Sequence, residues 1–258
     1  MARYRRCAKA TRRPQCPFRV EAPHMSRPLI VIPARMAATR LPGKPLADIG
    51  GRPMIAWMLE RALAADVGPV VVAAGDPEIV AAVEKAGGRA VLTDPALPSG
   101  TDRVHAAAVG GGHDVIVNLQ GDMPTVAPAT IRAAVAALTA GADIAPLVSP
   151  SDDPVDRDNP NVVKAIVAAD GRALYFTRAP APSGDGPVLR HVGIYVYRRA
   201  ALDRFVAAPP SPLELREKLE QLRALEMGMT IRAGVVAEFP KGVDSPADLE
   251  AARRELCR

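Results

Sequence analysis

Short, predominantly apolar runs recur along this chain, each followed by a stretch with helical apolar spacing, and this alternation restricts the fold more than any other feature. Leu29–Ile32, Val70–Ala74 and Val115–Leu119 show no in–out polar alternation, the pattern of strands buried on both faces. Pro53 opens a helical pattern through Ile55, Met58, Leu59, Ala62 and Leu63. Asp76-Pro77 supplies an N-cap and a first-turn proline for a second helix through Ile79, Val80 and Val83, stopped by Gly87-Gly88. The third run precedes a helix carrying Ile131, Val135 and Leu138 and ending at Gly141. Strand–helix alternation of this kind predicts an α/β fold: a mostly parallel, doubly wound sheet with helices on both faces.

After about Ala142 the rhythm loosens. Ile144–Val148, Val162–Val167 and Val192–Tyr197 read as strands joined by Pro- and Asp-rich connections, so a smaller inserted subdomain is expected over about 142–210. Ser211-Pro212-Leu213-Glu214 has the spacing of a capping box and predicts a long helix through Leu215, Leu219, Leu222 and Leu225. Thr230–Ala237 reads as a further strand, and Ser245-Pro246 caps a last helix carrying Leu249, Ala252 and Leu256. A chain of 258 residues buries roughly 70–75% of its extended surface and needs no covalent or metal staple to fold.

The net charge of +5 is not spread evenly. Residues 1–24 hold seven basic side chains (Arg3, Arg5, Arg6, Lys9, Arg12, Arg13, Arg19) against Glu21, while the body from Met25 onward has 26 basic and 27 acidic ones. The body therefore carries no bulk charge for nucleic acid or membrane binding. The leader lacks the apolar core of a secretory signal; an Arg-rich transit segment, a basic arm and an upstream start are the readings, the last favoured because Met25 resembles an ordinary start, and the leader is expected to be disordered. Two of the three cysteines, Cys7 and Cys16, lie in that leader and the third is Cys257, with no CxxC pair, so neither a zinc site nor a disulfide framework is expected and a cytoplasmic setting fits. No apolar run approaches the length of a membrane span.

Three segments carry candidate chemistry. After the first strand, the loop 33–44 places Arg35, Arg40 and Lys44 within ten residues beside Pro42-Gly43. In open α/β sheets this first loop commonly cradles phosphate, where Arg gives planar bidentate contacts and Lys a mobile point charge. It is not a Walker loop, because Pro45 follows Gly43-Lys44, and it is not GxGxxG. A solvated basic loop is the plain alternative. The second segment, Asn118-Leu119-Gln120-Gly121-Asp122, puts an acid at a strand end, where it either holds Mg²⁺ or forms an ordinary turn. Gly121 would there allow close approach of the backbone to a nucleotide. In the third, Asp244 precedes the helix capped by Ser245; it either serves the helix dipole or completes a metal pair with Asp122.

From Met25 to its end the chain resembles the 3-deoxy-manno-octulosonate (Kdo) cytidylyltransferases. The resemblance rests on PARMAATRLPGKPL (33–46), SGTDR (99–103), NLQGDMP (118–124), NPNVVK (159–164), YFTRA (175–179), RHVGIYVYRR (190–199), PSPLELREKLEQLR (210–223) and GVDSPADLE (242–250), in that order. It implies a nucleotide-diphospho-sugar transferase-like fold and a homodimer that takes CTP and Kdo, uses Mg²⁺ and releases pyrophosphate, feeding lipopolysaccharide assembly. It further implies Arg35, Lys44, Asp122 and Asp244 as catalytic residues, with Asp122 and Asp244 holding the metal. Pro33, Ala34, Arg35, Arg40, Lys44, Ser99, Gly100, Gln120 and Asp122 would contact the nucleotide. Arg103, Arg178, His191, Tyr195, Glu220 and Gln221 would contact the sugar acid. From the residues alone, His191 equally suits a structural role at a strand start, and Glu220 and Gln221 a solvated helix face. Met123 stands where the family has Glu, Leu97-Pro98 where it has a polar pair, and the stretch from Ala179 to Val188 is short. The rival readings are a cytidylyltransferase for another sugar acid (amino-Kdo or a sialic acid) and a nucleotide-binding protein without turnover.

Overall fold

The computed structural model describes residues 28–37 and 41–257. The leader and Arg40 lie outside the described residues. Strand β1 (Leu29–Ala34) is buried along its whole length. A small hairpin, β2 (Asp48–Ile49) and β3 (Arg52–Pro53), leads into α1 (Met54–Ala64). Then follow β4 (Val70–Ala74), α2 (Pro77–Lys85), β5 (Ala90–Leu92), α3 (Gly100–Ala108), β6 (Val115–Leu119) and α4 (Pro128–Ala137). The second half comprises β7 (Ile144–Ser151), α5 (Pro154–Asp158), β8 (Lys164–Val167), β9 (Ala173–Thr177), β10 (Val188–Arg198), α6 (Arg199–Ala207), α7 (Pro212–Glu217), α8 (Gln221–Glu226), β11 (Gly234–Val235) and α9 (Pro246–Leu256).

The main sheet runs β11-β7-β10-β6-β1-β4-β5, and β8 and β9 branch from β10. Strands β5, β4, β1 and β6 are mutually parallel, whereas β10 pairs antiparallel with both β6 and β7. The mostly parallel expectation therefore holds, with β10 and, in the branch, β9 running the other way. Residues 142–210 supply β7 and β10 to this sheet as well as the β8–β9 branch. Alternate residues of one strand feed opposite cores. Ile30 and Ile32 pack with Ile55, Met58, Ile79 and Ile131 on one face; Leu29 and Val31 pack with Val104, Leu202, Phe205 and Leu222 on the other. The chain builds β4 and β5 to one side of β1 and then crosses to β6 on the other side. The β1–β6 junction is thus the point where winding reverses, and a crevice opens there beyond the carboxyl ends of the strands.

The sequence does not predict β5, α3, α5, β9 or α6, and two of the elements that it does predict are changed. The helix expected through Leu225 is broken: Lys218 takes a left-handed conformation (φ 56°) and ends α7, and α8 restarts at Gln221. Leucine periodicity persists across the break, which is why the pattern conceals it. The strand expected over Thr230–Ala237 shrinks to Gly234–Val235 with single bridges at Ile231 and Arg232. A Cβ on Gly234 would stand 2.7 Å from the Ala137 Cβ, so this edge segment meets α4 too closely for a regular side-chain ladder.

Candidate active site

The crevice at the β1–β6 junction is a cleft of about 310 Å³. Pro33, Ala34, Arg35 and Ala37 line it from the end of β1, Lys44 from the following turn, Ser99 and Gly100 from the start of α3, Gln120–Asp122 from the end of β6, and Asp244 from before α9. Its centre is a cation between two acids. Lys44 Nζ donates to Asp122 Oδ2 at 3.2 Å and to Asp244 Oδ1 at 3.1 Å, across sequence separations of 78 and 200 residues.

Each member has a local cause for its position. Gly43, in the left-handed region at φ 68°, turns the chain so that Lys44 begins a single 3₁₀ turn with Pro45, and the Gly43 N–H donates to the Met36 carbonyl at 3.2 Å. The Met36 N–H donates to Asp76 Oδ2 at 2.8 Å, fastening the loop after β1 to the start of α2. The sequence reading assigned Asp76 to capping α2. It occupies the N-cap position but makes no side-chain cap bond there, and its carboxylate serves the first loop instead. Asp244 is delivered by packing: Val243 is buried with Ile49, Met54, Leu249 and Ala252, and its N–H donates to the Asp122 carbonyl at 2.7 Å. Ser245 caps α9 by a reciprocal box with Asp248, as the sequence predicts. At Gly121 the close approach is to the chain itself, since a Cβ there would meet the Pro33 carbonyl at 2.7 Å.

Ser99 is the N-cap of α3, accepting from the Asp102 N–H at 3.1 Å, so the segment read as a nucleotide loop is a helix start aimed at the cleft. Arg103 stands apart from the other residues expected to meet the sugar acid. It is buried, donating to Thr93 Oγ1 at 2.5 Å and to the Asp94 carbonyl at 3.1 Å, and it too lines the cleft. Burial and the neighbouring Arg35 lower its pKa.

His191, Tyr195 and Glu220 gather on the β10 side of β6. Tyr195 of β10 pairs in register with Asn118, and a Cβ on Gly193 would lie 3.6 Å from the Gln120 side chain. The His191 ring stands between Phe176, edge-on at 5.6 Å, and Tyr195 at 5.1 Å. Burial pushes His191 down to about 4, so it is neutral at neutral pH. Its Nε2 and the Gln221 Nε2 are buried without a hydrogen-bond partner, two polar atoms of the kind that a ligand hydroxyl satisfies. Glu220 accepts a hydrogen bond from Thr101, and burial raises its pKa. Glu220 and Gln221 therefore face inward rather than forming a solvated face. Arg178 is tied down by its Nε to the Glu217 carbonyl at 3.1 Å and by its Nη1 to the Pro160 carbonyl at 2.9 Å. It lies outside the cleft lining. The sequence reading missed Thr101, Asn118 and Asp76; a polar residue inside an apolar strand, as Asn118 is, was the available signal.

Among the described residues no three His, Cys, Asp or Glu side chains converge as a metal cluster. Asp122 and Asp244 share the Lys44 ammonium, and a pair of carboxylates suits Mg²⁺, which completes its shell with phosphate oxygens and waters.

The cytidylyltransferase family profile matches residues 29–231. A 3-deoxy-manno-octulosonate cytidylyltransferase of Rhodospirillum centenum is 61% identical over 239 residues, 89% of this chain and 93% of the relative. Its counterpart in Parvibaculum lavamentivorans is 60% identical over 240 residues, covering 90% and 93%. A solved CMP:2-keto-3-deoxy-manno-octonic acid synthetase complexed with CTP superposes with a TM-score of 0.86 at 39% identity, over 90% of this chain and 99% of that one. A nucleotidyl transferase of Methanothermobacter, at a TM-score of 0.60 and 18% identity over 89% of this chain and 97% of that one, shares the fold. On cleft, sheet order and sequence together, this chain belongs to the 3-deoxy-manno-octulosonate cytidylyltransferase family of cytidylyltransferases.

Proposed function

We propose that this protein transfers the cytidylyl group of CTP to the anomeric hydroxyl of Kdo, giving CMP-Kdo and pyrophosphate for lipopolysaccharide assembly. The observation that carries the reading is Lys44 held between Asp122 and Asp244 at the mouth of the β1–β6 crevice. The hydroxyl oxygen attacks the α-phosphorus as the bond to the departing pyrophosphate breaks, a reaction that asks mainly for alignment and charge neutralisation. Arg35 presents a planar guanidinium to phosphate oxygens, and the start of α3 at Ser99 and Gly100 adds backbone dipoles to the same cleft. Lys44 keeps its ammonium where charge develops on the transferred phosphoryl group, oriented by the two carboxylates. Asp122 and Asp244 are the residues to hold Mg²⁺, which when bound neutralises phosphate charge and polarises the phosphorus. His191, Tyr195, Glu220 and Gln221 offer one neutral imidazole and several hydrogen-bonding groups to a polyhydroxylated acid. Arg178 would supply a cation on release from the Glu217 and Pro160 carbonyls that now hold its guanidinium. The same reading includes a homodimer and a cytoplasmic setting; no described helix is long and apolar enough to cross a membrane.

A pyrophosphate-release assay run as a matrix of four nucleotides against Kdo, amino-Kdo and a sialic acid tests it. CTP with Kdo and Mg²⁺ is expected to give the highest kcat/KM, and Asp122→Asn to lower it by about 10²–10³-fold with the fold retained. Preference for another sugar acid overturns the substrate assignment, and full turnover by Asp122→Asn overturns the metal site. CTP binding without pyrophosphate release favours the non-catalytic reading.

A further inference from the structure

A buried line of polar side chains joins the nucleotide cleft to the residues on the β10 side of β6. Gln120 Nε2 donates to Asn118 Oδ1 at 2.9 Å, Asn118 Nδ2 donates to Thr101 Oγ1 at 3.2 Å, and Thr101 Oγ1 donates to Glu220 Oε1. Thr101 and Asn118 are fully buried, one at the first turn of α3 and the other inside β6. Neither lines the cleft, whereas Gln120 does.

The direction of this line follows from its last member. Thr101 donates its single hydroxyl hydrogen to Glu220, which in its ionised form only accepts. The hydroxyl oxygen takes hydrogens from Asn118 and from the neighbouring Tyr197 hydroxyl, and the Asn118 amide presents its nitrogen to Thr101 and its oxygen to Gln120. Gln120 is left with its carbonyl oxygen and one amide hydrogen for the cleft. One hydroxyl thus sets the orientation of two groups on different elements, a carboxylate on the α7–α8 segment and an amide at the end of β6. Residues with no function would be cheaper as Val and Leu at such buried positions, since a buried polar line must be complete to avoid a desolvation cost.

We propose that Thr101 and Asn118 are positioning residues for the transfer: they align the Glu220 carboxylate on the sugar acid, and with it the Gln120 amide, which the resemblance gives to the nucleotide but whose side chain lies against Gly193 of β10, so that the acceptor hydroxyl is brought in line with the nucleotide. The proposal rests on the Kdo reading above and adds two residues that touch neither substrate. It assigns to them the acceptor's placement rather than nucleotide affinity.

The test compares Thr101→Val, which keeps the shape and removes the donor, with Thr101→Ser, which keeps the donor. Thr101→Val is expected to raise KM for Kdo and lower kcat, together by roughly 10–100-fold in kcat/KM, with KM for CTP within about twofold of the parent. Thr101→Ser is expected to recover most of the loss. In a Glu220→Gln background the Thr101→Val change is expected to cost much less, because the partner it aligns is already altered. If Thr101→Val does not fold, Thr101→Ala carries the same comparison. Unchanged Kdo parameters in Thr101→Val, a parallel rise in KM for CTP, or full additivity with Glu220→Gln overturns the proposal. Failure of the parent enzyme to make CMP-Kdo at all sinks the functional reading instead, so the two failures are read from different rows of one experiment.

Discussion

His191 illustrates how burial fixes the state of a single side chain. Unfolded, it takes a proton near its ordinary 6.5; folded, between Phe176 and Tyr195, only near about 4. The folded pKa is the lower one, so the stability tied to neutral His191 is complete above about 6.5 and is lost as the pH falls towards 4. Over that window the difference amounts to about 2–3 kcal/mol. Urea unfolding from pH 7.5 down to 4.5 is expected to show the parent losing stability faster than His191→Gln; parallel curves would refute the assignment. At the same scale, Lys44, Asp122 and Asp244 were each visible in the sequence as candidates, but each had an ordinary alternative. The structure adds that the three meet, with Lys44 Nζ 3.2 and 3.1 Å from the two acids.

The break between α7 and α8 matters at the level of elements, because it turns Glu220 and Gln221 inward. Glu214 and Arg223 bridge it: Arg223 Nε donates to Glu214 Oε2 at 2.7 Å and Nη2 to Oε1 at 2.5 Å, and the guanidinium lies 4.6 Å over the Phe205 ring. Glu214 also accepts from the Ser211 N–H at 2.9 Å, the capping-box bond that the sequence predicts. Glu214→Ala is expected to cost about 3–5 kcal/mol, since it leaves a buried guanidinium unpaired. Lys218→Gly is expected to be neutral or to stabilise by up to ~1 kcal/mol, because glycine adopts the left-handed turn without strain. Chemical denaturation measures both; a stabilising Glu214→Ala or a strongly destabilising Lys218→Gly would contradict this picture of the break.

For the molecule as a whole, the cleft joins segments from both ends of the described chain, so a ligand bound there stabilises the entire fold. CTP with Mg²⁺ at a hundredfold excess over Kd is expected to add about 2.7 kcal/mol, on the order of 5–10 °C in Tm for a domain of this size. Calorimetry with Asp122→Asn is expected to show a much smaller shift, and an equal one would place the metal elsewhere. The sequence by itself determined the α/β class, the central strands β1, β4 and β6, and the caps at Ser211 and Ser245, because burial periodicity and capping are properties of neighbours in the chain. It also carried the order of motifs that marks the family. It did not reveal the end of the helix at Lys218, the two-residue β11, the turn of Asp76 toward Met36, or the Gln120–Asn118–Thr101–Glu220 line. These depend on which side chain meets which across the β1–β6 junction, and distances between residues far apart in sequence are set only when the two cores and the α9 packing close around that junction.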